Sequence, residues 1–137
     1  MQDDKARCCE YYQKEAKDYD LRRFNCNCRK YYDDLYKKVI NDYLQNAETV
    51  LDAGTGTGRF ALFLANMGKK VVAFDQSAEM LEVARKKSVE HGVSDMIEFV
   101  QGDIESLPFD DKKFDAIVSI HVLVHFESDE RIIAEFA

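Results

Sequence analysis

Three aspartates of this chain occupy positions where carboxylates can bind a ligand. Asp52, Asp75 and Asp103 each end, or closely follow, a short apolar segment. If these segments are neighbouring parallel strands, their carboxyl ends meet at one edge of a sheet. Carboxylates spread along a crevice suit an elongated, cationic ligand rich in hydroxyls and amines, whereas carboxylates gathered around one point would bind Mg²⁺. Their distribution over three strands favours the elongated ligand.

A glycine-rich loop lies beside the first aspartate. The segment VLDAGTGTGRF has glycine at every second position, Gly54, Gly56 and Gly58, so a ligand can approach the backbone closely. We call residues 54–58 the glycine loop. A dinucleotide-binding loop needs glycine where Arg59 stands, and a phosphate-binding loop needs lysine and a hydroxyl after its last glycine. The loop therefore predicts a site for a nucleoside without a phosphate, and an NAD-dependent oxidoreductase is the weaker alternative.

Hydrophobic periodicity predicts the elements that position these residues. Residues 1–46 are dense in tyrosine and charge and have helical spacing, with a break expected at Phe24–Arg29. Strand and helix signals then alternate, with strands expected at Thr49–Leu51, Val71–Phe74, Ile97–Val100 and Asp115–Ile120. Helices are expected at Phe60–Met67, from the N-cap Ser77 to about His91, and after the N-cap Ser128. This alternation predicts βαβ units, that is, an α/β fold with a parallel sheet.

Composition limits the classes of function. The chain has 137 residues and a net charge of −7, which fits a single globular domain. Residues 1–46 hold ten Lys/Arg against nine Asp/Glu, and residues 47–137 hold nine against 17. The acidic second part argues against a nucleic-acid partner, because such binding requires a cationic surface. No apolar run approaches the roughly 20 residues that span a bilayer and no signal-peptide pattern is present, so a cytoplasmic location is expected.

Cysteine and histidine give weaker indications. The four cysteines all lie near the N-terminus: Cys8, Cys9, Cys26 and Cys28. Their spacings do not match the pairs of a structural zinc site, so reduced thiols are expected, with metal binding or redox chemistry as the weaker alternative. His121 and His125 are four residues apart, as ligands on one helical face would be, but no glutamate follows His121 as in zinc proteases, and no metal site is predicted. His125 is a candidate general base or substrate contact, or else a packed, hydrogen-bonded histidine.

Five segments, in this order, resemble class I S-adenosylmethionine-dependent methyltransferases, the broad type that includes the small-molecule and ubiquinone/menaquinone methyltransferases. They are YYQKEAKDYD, VLDAGTGTGRF, VVAFDQS, GDIESLPFDDKKFDAIVS and HVLVHF, and together they cover most of residues 12–126. The resemblance implies a Rossmann-like sheet with strand order 3-2-1-4 for the strands present. It also implies S-adenosylmethionine as cofactor, S-adenosylhomocysteine as product and a small-molecule methyl acceptor, which it does not identify.

The resemblance further implies how the nucleoside half of the cofactor is held. Asp75 would accept hydrogen bonds from both ribose hydroxyls, with Gln76 and Met80 packing near the adenine. Asp103, together with the backbone of Ile104, would recognise the adenine amino group.

The methionine half of the cofactor is assigned in the same way. Asp52 would meet the ammonium group, directly or through water, and Ser119 would lie under the methionine portion. The glycine loop would let the ligand lie along the backbone. Tyr19 resembles the aromatic residue that closes the pocket from an N-terminal helix, and simple packing against the domain is its alternative role.

The family's sheet has seven strands in the order 3-2-1-4-5-7-6, and four are expected here. The chain is therefore expected to consist of an N-terminal helical segment, residues 1–46, that caps the cofactor site, and a Rossmann-like half-domain, residues 47–137, truncated in the helix after strand 4. The fourth strand would be an open sheet edge, which a homodimer can cover. Two functions follow: a methyltransferase, or a cofactor-binding fragment or partner-completed subunit without independent catalysis.

Overall fold

The computed structural model describes residues 10–23, 27–126 and 130–137. Residues 10–15 are helical, and single 3₁₀ turns lie at Ser94–Met96 and Leu123–His125. The other elements, in chain order, are helices α1 (Tyr19–Arg23) and α2 (Asn27–Tyr43), strand β1 (Thr49–Ala53), helix α3 (Arg59–Asn66), strand β2 (Lys70–Asp75), helix α4 (Ala78–Glu90), strands β3 (Ile97–Gln101) and β4 (Ala116–Val118), and helix α5 (Glu130–Phe136).

The described strands form one parallel sheet in the order β3-β2-β1-β4. The predicted α/β class and strand order are thereby confirmed. The register sets Asp52 of β1 between Ala73 of β2 and Val118 of β4. Because β1 lies inside the sheet, the glycine loop that follows it opens near the middle of the carboxyl edge, where parallel α/β sheets bind ligands.

Apolar side chains pack on both faces of the sheet. On one face Val50 and Val71 pack with Leu64 of α3 and Ile40 of α2. On the other face the cluster has these members: Leu51, Ala53, Val72, Phe74, Ile104 and Ile132 of α5. Burying one such aliphatic side chain contributes about 1.5–3 kcal/mol. Since both faces are covered, β1 and β2 are almost continuously apolar, as strands of parallel sheets are.

The start of α4 is capped as the sequence predicts. The Ser77 hydroxyl oxygen accepts a hydrogen bond from the backbone N–H of Met80 at 3.2 Å. This bond satisfies one of the donors that a helix leaves without an intrahelical partner at its first turn. It fixes the helix directly after Asp75, the last residue of β2.

The fourth strand is shorter than predicted, since it covers Ala116–Val118 and not Asp115–Ile120. Asp115 instead accepts hydrogen bonds through Oδ2 from the backbone N–H groups of Glu48 and Thr49, at 2.9 and 2.8 Å. It thus joins the start of β1 to the segment before β4. After Val118 the chain leaves the sheet, and His121 adopts a positive φ of 61°. An apolar run alone does not show where sheet pairing stops.

Some predictions concern residues that the structure does not describe, namely Ser128 as a helix cap, Cys8, Cys9, Cys26 and part of the Phe24–Arg29 break. The described part of that expected break, residues 27–29, is helical, since α2 begins at Asn27. In the described ranges no helix is both long and apolar enough to cross a bilayer. Strand β4 is an edge of the sheet among these residues. The division at residue 46 and a homodimer through this edge stay predictions.

Candidate functional site

A cavity lies along the carboxyl edge of the sheet, and we call it the edge cavity. Eight of the predicted site residues line it: Tyr19, Gly54, Gly56, Asp75, Gln76, Met80, Ile104 and His125. Its other lining residues are Tyr12, Phe74, Gly102, Ile120, His121, Val122 and Phe126. The glycine loop after β1, strand β2, the start of α4, the loop after β3, the segment after β4 and the N-terminal helices therefore all contribute to one concave surface. The remaining predicted residues lie outside this lining: Asp52, Gly58, Asp103 and Ser119.

The Asp75 carboxylate is held at the wall of the edge cavity by two backbone groups. Its Oδ2 accepts a hydrogen bond from the Gly56 N–H at 2.8 Å, and its Oδ1 accepts one from the Ser77 N–H at 2.9 Å. Burial raises the pKa of Asp75, and these hydrogen bonds lower it in part. An ionised carboxylate offers about four lone-pair positions, so it keeps capacity to accept hydrogen bonds from a ligand.

Asp52 lies inside β1 and not at its end, because the strand continues to Ala53. Successive side chains of a strand point to opposite faces, so Asp52 shares the face of Val50. The residue is only 2% exposed, and its Oδ2 accepts a hydrogen bond from the Thr55 hydroxyl at 2.6 Å. Asp52 therefore supports the glycine loop from beneath.

The buried Asp52 makes stability depend on pH. Burial raises the pKa of this carboxyl from 3.8 to about 6, and the Thr55 hydrogen bond opposes the rise. The folded protein then holds the proton more tightly than the unfolded chain, so stability falls as the pH rises from about 4 to 6. We expect Asp52→Asn to abolish this decrease in stability. Relative to the wild type, its free energy of unfolding should rise by about 3 kcal/mol between pH 4 and pH 7. Urea unfolding at each pH measures it.

The matched control for this prediction is Asp95→Asn, since Asp95 is an exposed carboxylate outside the site. Its unfolding free energy is expected to follow the wild type across the same pH range. If the curves of Asp52→Asn and the wild type run parallel, burial of Asp52 does not set the pH dependence.

The glycine loop is tied to the neighbouring strand. The N–H groups of Gly54 and Thr55 both donate to the carbonyl oxygen of Phe74, at 2.8 and 3.0 Å. Gly54 and Gly56 line the edge cavity, whereas a Cβ at Gly58 would lie 2.7 Å from the Ala84 Cβ of α4. Gly58 therefore allows close packing of α4 against the loop.

Asp103 and Ser119 flank the edge cavity. Asp103 is exposed, and its Oδ1 accepts a hydrogen bond from the backbone N–H of Glu105 at 3.1 Å. Its neighbour Ile104 is buried and lines the cavity. The Ser119 hydroxyl oxygen is buried, and the described part of the chain supplies no hydrogen-bond partner for it. Such a polar group is costly to bury unless something else satisfies it.

The N-terminal helices are joined to the segment after β1 by polar contacts. Asp20 of α1 accepts a hydrogen bond from the Thr57 hydroxyl at 2.8 Å and also pairs with Lys87 of α4. Asp33 of α2 pairs with Arg59 at 2.5 Å. These contacts set α1 and α2 over the glycine loop and place Tyr19 in the cavity wall.

Tyr12 is a lining residue that the sequence reasoning missed. Its hydroxyl forms a 2.7 Å hydrogen bond with Nε2 of His125. The Tyr12 ring packs edge-on against the His125 ring and lies tilted against the Tyr19 ring. Tyr12 and His125 are 113 positions apart, so no local pattern in the sequence could reveal this pair. Burial lowers the pKa of His125, and the charge of Arg23 lowers it further.

The helical-face arrangement considered for His121 and His125 is wrong. His121 has a positive φ of 61° and precedes the 3₁₀ turn that contains His125. Both side chains still line the edge cavity. Across the described residues, no group of three or more His, Cys, Asp or Glu is arranged to hold a metal ion.

A second cavity adjoins the edge cavity, and we call it the arginine cavity. It shares Tyr19, Gly54, Gly56, Ile120 and His121 with the edge cavity. Its further lining comes from α1, α2, the glycine loop and the start of α3: Arg23, Cys28, Arg29, Tyr32, Asp33, Tyr36, Thr55, Thr57, Arg59 and Phe60. The two cavities therefore meet at the glycine loop and at Tyr19.

Known proteins share this sequence pattern and this fold. A family model described as "Methyltransferase domain" matches residues 51–137. The ubiquinone/menaquinone biosynthesis C-methyltransferase UbiE of Hahella chejuensis is 44% identical over 73 residues, which are 50% of this chain and 29% of that protein. The demethylmenaquinone methyltransferase of Thermotoga maritima is 36% identical over 102 residues, which are 72% of this chain and 42% of that protein.

Solved structures agree with the sequence matches. A Methanococcus maripaludis protein, assigned as an S-adenosyl-L-methionine-dependent methyltransferase, superposes with a TM-score of 0.76 at 27% identity. The alignment covers 90% of this chain and 56% of that one. The YcgJ protein of Bacillus subtilis superposes with a TM-score of 0.67 at 32% identity, covering 77% of this chain and 44% of that one. The chain spans less than half the length of the two curated relatives, UbiE and the demethylmenaquinone methyltransferase.

Proposed function

Because this chain belongs to the methyltransferase domain family, whose model matches residues 51–137, we propose that it binds S-adenosylmethionine and serves methyl transfer to a small molecule. The observation that carries the proposal is the placement of Asp75. Its carboxylate stands at the wall of the edge cavity, hydrogen-bonded to the backbone of the glycine loop. A carboxylate beside exposed backbone, without a phosphate-binding loop, suits the ribose of a nucleoside.

Two features of the edge cavity fit this cofactor. Gly56 lines the cavity, and a Cβ built there would meet no protein atom within 4 Å, so the missing side chain leaves space against the backbone. The buried Ser119 hydroxyl, which lacks a described partner, lies one residue before the lining residue Ile120. A polar ligand group near this position would satisfy it.

The nucleoside half is assigned to the β2 and β3 side of the edge cavity. Asp75 accepts hydrogen bonds from the ribose hydroxyls, and the side chains of Gln76 and Met80 bound the adenine. Asp103 and the backbone of Ile104 meet the adenine amino group. Support for these roles comes from the lining of the cavity by Gln76, Met80 and Ile104 and from the position of Asp103 beside it.

The methionine half is assigned to the glycine loop and the end of β4. Bound S-adenosylmethionine supplies an electrophilic methyl group on its sulfonium. Asp52 balances the charge of the ammonium group from beneath the glycine loop. The Ser119 hydroxyl forms a hydrogen bond with the methionine portion of the cofactor. The protein's own contribution to the reaction is alignment of acceptor and methyl group, which lowers the barrier without further covalent chemistry. Tyr19 and the helices of residues 1–46 cap the site and exclude water.

His125 is the candidate base for the acceptor proton. Its imidazole lines the edge cavity, and its lowered pKa keeps the ring neutral near pH 7, as a base requires. The Tyr12 hydroxyl orients it. Relatives are named as ubiquinone/menaquinone and demethylmenaquinone methyltransferases, so a quinol-type ring is the first acceptor to test.

The test combines binding with transfer. In calorimetry, S-adenosylhomocysteine is expected to bind with a stoichiometry of about one per chain, as one edge cavity requires. Transfer of labelled methyl from S-adenosylmethionine to a panel of quinols is expected. The rate should be about 100-fold lower in His125→Ala, which is the low end of general-base effects. Absence of binding at millimolar ligand would contradict the cofactor assignment. Binding without transfer would identify a cofactor-binding unit, and an unchanged rate in His125→Ala would remove this residue from the reaction.

A further inference from the structure

The arginine cavity has a positive lining in an otherwise acidic protein. Three guanidinium groups line it, those of Arg23, Arg29 and Arg59, against one carboxylate, that of Asp33, among the described lining residues. The whole chain carries a net charge of −7. A cleft lined by one sign of charge attracts ligands of the opposite sign.

The carboxylates near this cavity are already paired. Asp33 binds both Arg59, at 2.5 Å, and Lys37, at 2.7 Å. Asp20 pairs with Lys87 and accepts a hydrogen bond from Thr57. Within the described ranges neither carboxylate, nor any other, lies within ion-pair distance of Arg23 or Arg29. Among residues 10–23, 27–126 and 130–137, these two guanidinium groups therefore have no carboxylate as an ion-pair partner.

Arg23 and Arg29 both line the arginine cavity and are fixed there by contacts with their neighbours. The Arg23 guanidinium lies over the Tyr19 ring, 5.3 Å from its centroid. Arg29 donates a hydrogen bond through Nη1 to the backbone oxygen of Arg23, so the start of α2 is joined to the end of α1. Both charges reach His121, whose pKa is lowered first by burial and then by neighbouring cations that include Arg23 and Arg29. The positive potential thus extends to the boundary between the two cavities.

Aromatic side chains line the arginine cavity together with these charges. Tyr32 is half exposed, and the Tyr36 ring packs edge-on against His121 and Phe60. Tyrosine rings give a flat, largely apolar surface, on which the hydrocarbon part of a ligand can pack. The cavity therefore offers both cations and apolar ring surface to a ligand.

We propose that the arginine cavity is a carboxylate-binding site, in which the guanidinium groups of Arg23 and Arg29 hold the carboxylate of a ligand whose hydrocarbon part packs on Tyr32 and Tyr36. A guanidinium binds a carboxylate through two parallel N–H···O bonds, a geometry that lysine does not provide. Two ligands can supply this carboxylate: the methionine part of the cofactor, or a separate acid that accepts the methyl group. The first source rests on the proposed function, whereas the second requires only the cavity.

The test compares Arg23→Gln and Arg29→Gln with Arg22→Gln in the full chain. Arg22 is the neighbouring arginine of α1, but it is exposed, pairs with Glu15 and does not line the cavity. Three probes are titrated: S-adenosylhomocysteine, 5′-methylthioadenosine, which lacks the amino-acid carboxylate, and benzoate. We expect Arg23→Gln and Arg29→Gln to bind at least one carboxylate probe about tenfold more weakly than the control, as loss of a charge-assisted bond implies. Binding of 5′-methylthioadenosine should be unchanged.

The probes identify the source of the carboxylate. A loss confined to S-adenosylhomocysteine assigns the site to the cofactor, and a loss confined to benzoate assigns it to a separate acid. Arg23→Lys is expected to recover only part of the affinity, because it restores charge without the two parallel bonds. If both carboxylate probes bind the variants as tightly as Arg22→Gln, or if 5′-methylthioadenosine is weakened equally, the proposal is overturned. If the wild type binds neither nucleoside, the proposed function fails while benzoate still tests this site.

Discussion

Asp75→Asn is expected to weaken the binding of S-adenosylhomocysteine about 100-fold, the largest effect of any single polar substitution in the site. A hydrogen bond to a charged group contributes about 1.5–3 kcal/mol, so the loss of charge toward two ribose hydroxyls costs about 3 kcal/mol in total. Asparagine has the same shape but only one acceptor oxygen. It can therefore serve either the Gly56 N–H or the Ser77 N–H, and not both as Asp75 does.

Calorimetry with S-adenosylhomocysteine measures this loss, and Asp95→Asn is the matched control because Asp95 is an exposed aspartate outside the edge cavity. The thermal unfolding midpoint of each variant separates lost ligand contacts from a damaged loop. Affinity of Asp75→Asn within about threefold of the control, less than about 0.7 kcal/mol, would show that Asp75 does not bind the ribose.

Gly58→Ala is expected to destabilise the fold by about 3 kcal/mol. Gly58 has a positive φ of 81°, which costs an L-residue of the order of 1 kcal/mol. In addition, the new Cβ would lie 2.7 Å from the Cβ and 3.2 Å from the Cα of Ala84 in α4. Overpacking against a helix backbone adds about 1–3 kcal/mol, because α4 has to shift to relieve it.

Gly68→Ala separates the two contributions, since Gly68 has the same φ of 81° but a Cβ there would meet nothing within 4 Å. Its cost should stay near the backbone contribution of about 1 kcal/mol. The double variant Gly58→Ala/Ala84→Gly should recover part of the stability that Gly58→Ala loses, because Ala84→Gly removes the contacting Cβ. The free energy of unfolding in urea is measured for the wild type, the two single variants and the double variant. Equal losses in Gly58→Ala and Gly68→Ala would mean that close packing of α4 against the glycine loop is not what requires Gly58.

Asp52 and Asp75 show how similar sequence signals acquire different surroundings. Both follow apolar runs of parallel strands. Asp75 ends β2 and lines the edge cavity. Asp52 lies within β1, because this strand pairs with β2 as far as Ala53. The end of a strand is set by its partners in the sheet, and those partners are distant in the chain.

Elements whose signals are local can be predicted from the amino-acid sequence alone. Apolar segments, turn residues and the Ser77 cap predicted the alternation of strands and helices, and the glycine spacing predicted a ligand site without phosphate. The five motifs and their order predicted the family and the strand order, both of which are confirmed. These signals are readable because they lie within a few residues of one another and reflect local geometry and burial.

Which side chains share a cavity depends on contacts between elements that are distant in the chain, and these contacts are visible only in the folded structure. The pairs Tyr12–His125, Asp33–Arg59 and Asp20–Lys87 join residues separated by 113, 26 and 67 positions. The grouping of Arg23 and Arg29 around His121 likewise depends on how α1 and α2 pack over the glycine loop. Hydrophobic periodicity tells which face of an element is buried, but not which other element covers it. The chemistry of the arginine cavity follows from that packing.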